Sequence, residues 1–66
     1  MEIEIALAEV MADRNISLNE LSNRVGISNV NLSRIKTGKI RAIRFDTLAQ
    51  ICNALNCQPG DILKYN

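Results

Sequence analysis

Histidine is absent from this 66-residue chain, and cysteine occurs only twice, at Cys52 and Cys57. Two thiols five positions apart match neither the CxxC spacing of redox motifs nor the four ligands that a structural zinc site needs. No metal and no cofactor are therefore expected. The longest unbroken apolar stretch is four residues, "IALA" at 5–8, too short for a membrane span or a signal-peptide core. The chain should be soluble and cytoplasmic, with its cysteines as small buried thiols in a reducing compartment. Catalysis lacks material. There is no paired set of carboxylates within one segment, no phosphate-cradling glycine loop and no nucleophile arrangement. Neither an enzyme nor a small-molecule ligand is expected.

Acidic residues are missing from the middle of the chain. Between Glu20 and Asp46 there are none, whereas that interval holds Arg24, Arg34, Lys36, Lys39, Arg41 and Arg44, a local charge of +6 in a molecule whose net charge is +1. Five of the seven acids (Glu2, Glu4, Glu9, Asp13 and Glu20) precede it. An acidic end and a basic middle favour a polyanion on one side. Charge alone leaves open the plainer alternative, a solvated basic face.

Apolar residues make up 47% of the chain, enough for one compact core. At this length residues 1–66 form one domain at most. Such a domain buries only about 60% of its unfolded surface, so a second subunit would help and a homodimer is expected. No membrane partner is indicated.

Gly26, Gly38 and Pro59-Gly60 punctuate the chain. At the start, Ile3 and Ile5 alternate with Glu2 and Glu4, which suits a short strand at 2–5. Leu7, Val10 and Met11 then follow helical spacing, giving a helix at about 6–14. A helix from residue 3 is the alternative. In "ISLNELSNRVG", Ser17 is a cap, Glu20 stands where an S-x-x-E capping box needs it, and Ile16 and Leu21 form a hydrophobic staple. Leu21 and Val25 point inward and Gly26 terminates. The same grammar repeats with Ser28 as cap, Ile27 and Leu32 as staple, Leu32 and Ile35 inward, and Gly38 as terminator. Two helices of about eight residues joined by a turn at Gly26 and Ile27 are a helix-turn-helix, spanning about 17–37. Ser22, four residues before Gly26, is small enough for the helices to cross closely.

"KIRAIRF" at 39–45 contains no helix start. It reads as an extended loop with Ile40, Ile43 and Phe45 anchored in the core. Asp46 is expected to cap a helix whose Leu48, Ile51, Cys52 and Leu55 form an apolar stripe. Pro59 and Asp61 open a short fifth helix. Ile62, Leu63 and Tyr65 then either close the bottom of the core or pair, as a strand, with residues 2–5.

On a helical wheel of residues 28–37, Leu32 and Ile35 define the buried side, together with the cap Ser28. Val30, Ser33, Arg34 and Thr37 lie opposite, with Asn29 and Asn31 on the flanks. A helix that needed only solubility would mix Glu with Lys. This one carries amides, hydroxyls and a guanidinium, groups that hydrogen-bond base edges without repelling phosphate. Arg suits guanine O6 and N7, Asn suits adenine N6 and N7, and Val30 suits a thymine methyl. The free amides near Ser17 and Leu18 make a phosphate seat, although the Glu20 carboxylate nearby counts against it. Lys39, Arg41 and Arg44 would grip the backbone from the other side.

"SLNELSNRVGISNVNLSRIKTGK" and "IRFDTLAQICNALNCQPGDILKY" together resemble the helix-turn-helix and the fourth and fifth helices of Cro/repressor-type (Xre-like) regulators, in particular very small bacterial members ending in "CQPGDILxY". The resemblance covers about residues 7–65. It implies an all-α, five-helix, lambda-repressor-like domain, to which the alternation at 2–5 would add a short N-terminal strand pairing with the C-terminal residues. It also implies a third helix in the major groove of double-stranded DNA, a dimer on a palindromic operator, and most often repression. Carried over by position, the base readers are Asn29, Val30 and Arg34, with Asn31 and Ser33 beside them. The backbone contacts are Ser17, Leu18, Ser28, Lys36, Thr37, Lys39, Arg41 and Arg44. Ser22 stands where the family usually has Ala. Lys36 replaces an acid that often pairs with a first-helix base; Met11 and Asp13 are the partial substitutes for that tie, and Lys36 is then free to face phosphate. The rival reading is a protein-interaction adaptor, antirepressor or antitoxin-like, with the same fold and little DNA affinity.

Overall fold

The computed structural model describes residues 2–66. A short strand, β1 (Ile3–Ile5), leads into α1 (Leu7–Arg14), α2 (Leu18–Val25), α3 (Asn29–Lys36), α4 (Phe45–Leu55) and α5 (Pro59–Ile62), and the chain closes with β2 (Leu63–Tyr65). The two strands pair antiparallel, with Ile3 opposite Tyr65 and Ile5 opposite Leu63. Residues 2–5 therefore follow the period-two reading, and the closing segment both seals the core and forms a strand. Ile62 is buried, while Leu63 and Tyr65 belong to the ladder. Glu2 and Asn66 extend the pairing by exchanging backbone bonds of 3.1 and 2.8 Å. No described helix is long and apolar enough to cross a membrane.

Local chemistry sets the helix ends. Ser17 and Ser28 sit in extended backbone, and each hydroxyl oxygen accepts the N–H three residues on, from Glu20 at 3.1 Å and Asn31 at 3.2 Å. The reciprocal half of the expected capping box at Glu20 does not form. Its carboxylate pairs instead with Arg24 one turn along, at 2.8 Å. Gly26 (φ 69°) ends α2 and Gly38 (φ 75°) follows α3. α1 and α4 stop without glycine, at Asn15 (φ 57°) and Asn56 (φ 52°), because a short amide side chain tolerates the left-handed conformation that ends a helix.

All five helices contribute to the core. Leu7, Leu21, Leu32, Ile51, Leu55 and Ile62 are fully buried, joined by Val10, Met11, Ile35, Leu48 and Cys52. Ile40 and Ile43 pack partly against this cluster and anchor the loop between α3 and α4. Phe45 does not join them: it is 87% exposed. It starts α4 rather than ending the loop, so it projects from the free end of the helix, ahead of the apolar stripe that Leu48 begins. For the same reason Asp46 is not the cap. Arg44 holds that position in extended backbone with no side-chain cap bond, and Asp46 lies inside the first turn, 3.5 Å from the Arg44 guanidinium.

The last turn of α4 carries no basic residue of its own. Two arginines from other helices take that place. Arg14 Nε donates to the Leu55 carbonyl at 2.9 Å and Arg14 Nη2 to that of Asn56 at 3.3 Å, while Arg24 reaches the Ala54 carbonyl at 3.4 Å. Positive charge at a helix C-terminus satisfies orphan carbonyls and complements the helix dipole.

These placements separate two large apolar side chains by what their loss removes. Leu21→Ala should lower the unfolding free energy by about 2–5 kcal/mol. Phe45→Ala should change it by no more than about 0.5 kcal/mol. Urea titration followed by circular dichroism measures both, and comparable losses would contradict the position of Phe45.

Candidate nucleic-acid interface

Between α2 and α3 the chain turns in three residues. Gly26 takes the left-handed conformation, and the Ser22 hydroxyl donates to the Ile27 carbonyl at 2.5 Å. Serine at this position is therefore more than a small residue, since it clamps the turn. Ile27 is half-buried beneath it. Leu32 and Ile35 then dock α3 on the core, which fixes the helix phase and turns the remaining side chains outward.

Val30 is 70% exposed. Asn29, Asn31, Arg34, Lys36 and Thr37 are exposed as well, and Ser33 is half-buried between them and the core. The outward ridge of Val30, Ser33 and Arg34 is thus open to solvent, with Ser33 set lower than its neighbours. No acid lies on α3. Among the described residues, Arg34, Lys36, Lys39 and Arg41 form no ion pair. Arg24 belongs to the basic interval of the sequence but not to this surface, because it is engaged at the end of α4. A polar substitute tie through Asp13 is not made, since Asp13 pairs with its neighbour Arg14, while Met11 joins Leu32 and Ile35 in the apolar core.

The capped starts of α2 and α3 leave their first two amides, on Leu18 and Asn19 and on Asn29 and Val30, without intrahelical acceptors. Ser17 and Ser28 use their hydroxyl oxygens as acceptors, so their O–H groups remain available as donors. Glu20 weighs less against an anion here than the sequence suggests, since Arg24 offsets its charge. Leu18 packs partly against the core and offers its backbone only. Thr37 is differently placed. Its N–H and its hydroxyl both bond the Ser33 carbonyl at 2.9 Å, and the hydroxyl also lies 3.3 Å from that of Arg34. Both of its donors are held by its own helix.

One residue, Asn19, escapes a reading of the sequence. Asn29 Nδ2 donates to Asn19 Oδ1 at 2.6 Å, tying the first residue of α3 to the second of α2. Each Asn is unremarkable at a helix start, and only the crossing of the two helices brings them together. On the other flank an open groove of about 360 Å³ runs between the start of α3 and the loop to α4. Ser28, Asn31 and Ile35 line one side and Ile43, Arg44 and Thr47 the other. Arg41 borders a different groove, of about 240 Å³, with Ile3, Ile5, Ile40 and Leu63. The loop thus carries Arg44 to the α3 side and Arg41 to the sheet side.

Two capped helices joined by a clamped left-handed turn, the second presenting a polar, acid-free ridge, define a helix-turn-helix domain. The chain belongs to the family of Cro/C1-type helix-turn-helix DNA-binding domains, whose model matches residues 6–66. It is 55% identical over 65 residues to YozG of Bacillus subtilis (strain 168), an uncharacterized HTH-type transcriptional regulator, covering 98% of this chain and 77% of that one. Among solved structures it is similar to the transcriptional regulator VanUg, with a TM-score of 0.74 and 28% identity, over 94% of this chain and 81% of that one. It shares its fold with a proposed DNA-binding protein from Bacteroides fragilis, with a TM-score of 0.84 and 21% identity, over 96% of this chain and all of that one.

The turn after α3 sets where the basic loop departs. Gly38 N–H bonds the Ile35 carbonyl at 3.0 Å and Lys39 N–H that of Arg34 at 2.9 Å. A Cβ at Gly38 would meet no atom within 4 Å, so the cost of Gly38→Ala is backbone strain alone, about 1–2 kcal/mol. Thermal unfolding should show that loss, and Gly38→Asn should recover part of it.

Proposed function

We propose that this protein is a sequence-specific transcriptional repressor that lays α3 in the major groove of double-stranded DNA. The observation that carries this reading is Val30, 70% exposed and one helical turn from an unpaired Arg34 on an acid-free helix. In this reading Arg34 addresses guanine O6 and N7, Asn29 and Asn31 address adenine, and Val30 meets a thymine methyl. Ser33 lies in the floor between them. Phosphates are held by the free amides at Ser17 and Leu18, by the Ser28 hydroxyl, and by Lys36, Lys39, Arg41 and Arg44. Thr37 joins them only by rotating its hydroxyl out of the helix. The protein works as a homodimer on a palindromic operator with half-sites about 34 Å apart. It binds and does not catalyse, and it acts where the chromosome is, in the cytoplasm.

Selecting bound sequences from random duplex DNA tests the reading directly, with a palindromic motif as the expected result. On that motif, Arg34→Ala should cost about 1–3 kcal/mol and relax one base position. Arg41→Ala should weaken all sequences alike and flatten the salt dependence, which runs at roughly −0.9 in log K per phosphate neutralised. Gel shifts on selected and random DNA compare the two. Equal losses on both DNAs for Arg34→Ala would remove it from base reading. Failure to bind any duplex at about 50 mM salt, where phosphate contacts are strongest, would replace this reading with the adaptor.

A further inference from the structure

The two cysteines take no part in the surface described above. Both are free thiols. Cys52 lies on the last full turn of α4 and is only 9% exposed; Cys57 follows the helix and is half-buried. Between them the chain reverses at Asn56 in the left-handed conformation, and Cys57 N–H donates to the Cys52 carbonyl at 3.0 Å. That bond closes a Schellman turn, which commonly sets the side chains of these two positions against each other. Here both positions are held by thiols, Cys52 buried and Cys57 half-buried. The same turn ends α1, where the Ile16 N–H bonds the Met11 carbonyl and an apolar pair occupies the two positions. Packing therefore does not require a thiol at either place, and a pair of thiols adds chemistry that Met11 and Ile16 lack.

We propose that Cys52 and Cys57 form a site of reversible oxidation, closing an intramolecular disulfide when the protein meets a low-molecular-weight disulfide. The backbone bond between the two residues holds their α-carbons at a separation that disulfides span. Cys57, the more exposed, reacts first. Its thiolate attacks one sulfur of the reagent, the reagent's S–S bond breaks, and one small thiol leaves. Cys52 then loses its proton and attacks the Cys57 sulfur, expelling the second small thiol. Two protein thiols are oxidised, the reagent is reduced to two thiols, and both protons end on the leaving groups. Burial pushes the Cys52 thiol above its ordinary value, and Cys57 and Asp61 push it the same way, so Cys52 resolves the mixed disulfide rather than starting the reaction. The bridge ties the last turn of α4 to the segment leading into α5, with Cys52 about 12 Å along the helix from Arg44. It should raise the thermal midpoint by several degrees and leave α3 untouched.

The test is to incubate the full chain with glutathione disulfide, alkylate it under denaturing conditions and measure the intact mass. The wild type should end lighter by two hydrogens, with neither an alkyl group nor glutathione attached, and dithiothreitol should restore both thiols. Cys52→Ser should instead retain one glutathione on Cys57, and Cys57→Ser should remain reduced at Cys52. A wild type that keeps a stable glutathione adduct, or that is alkylated twice after the same treatment, would overturn the proposal.

Discussion

The turn at Gly26 sets the angle on which the rest of the surface depends. A left-handed residue alone permits many crossings of α2 over α3. The Ser22 hydroxyl on the Ile27 carbonyl, with Ile27 tucked beneath, selects one of them. With the angle fixed, Leu21 and Leu32 meet in the same core, and the phase of α3 follows from which of its residues are buried. Val30 and Arg34 face solvent because Leu32 and Ile35 cannot. The Asn19–Asn29 bond has the same origin, for it exists only where two helix starts are brought side by side.

Charge is divided between two tasks. Arg14 and Arg24 hold the C-terminal end of α4, where their hydrogen bonds satisfy carbonyls that the helix cannot. Arg34, Lys36, Lys39 and Arg41 do no such work within the described residues. The acids divide similarly: Asp13 and Glu20 sit beside arginines of their own helices, and Glu2 and Glu4 lie at the strand. α3 itself is left with cations, amides and hydroxyls, the balance a polyanion requires, and Asp46 stands beside Arg44 across the groove. Repression, the dimer and the individual base contacts rest on the proposal. The family rests on the match of residues 6–66 and on a relative 55% identical.

Much of this was legible from residues close together in the chain. Ser17, Ser28, Gly26 and Gly38 mark the ends of α2 and α3 because capping and left-handed termination are made within a single turn. The stripe of Leu48, Ile51, Cys52 and Leu55 identifies α4 by its period alone. The failures share a cause. Phe45 reads as a core anchor because it is large and apolar, yet its burial depends on where α4 begins relative to the core. Asp46 reads as a cap by type, but the helix starts two residues too early for it. Glu20 fits a capping box until Arg24, one turn on, competes for its carboxylate. Thr37 looks like a free hydroxyl until its own helix supplies an acceptor.

The sequence by itself determined the elements, their polarity and the acid-free character of the third helix, since period, caps and charge spacing are local properties of neighbouring residues. Tertiary structure alone decided that Arg24 would serve α4 rather than the basic face, that Asn19 would hold Asn29, that Phe45 would stand in solvent, and that Arg41 and Arg44 would line different grooves. Those outcomes depend on distances between residues far apart in the chain, and such distances exist only once the packed core has fixed the angles between helices.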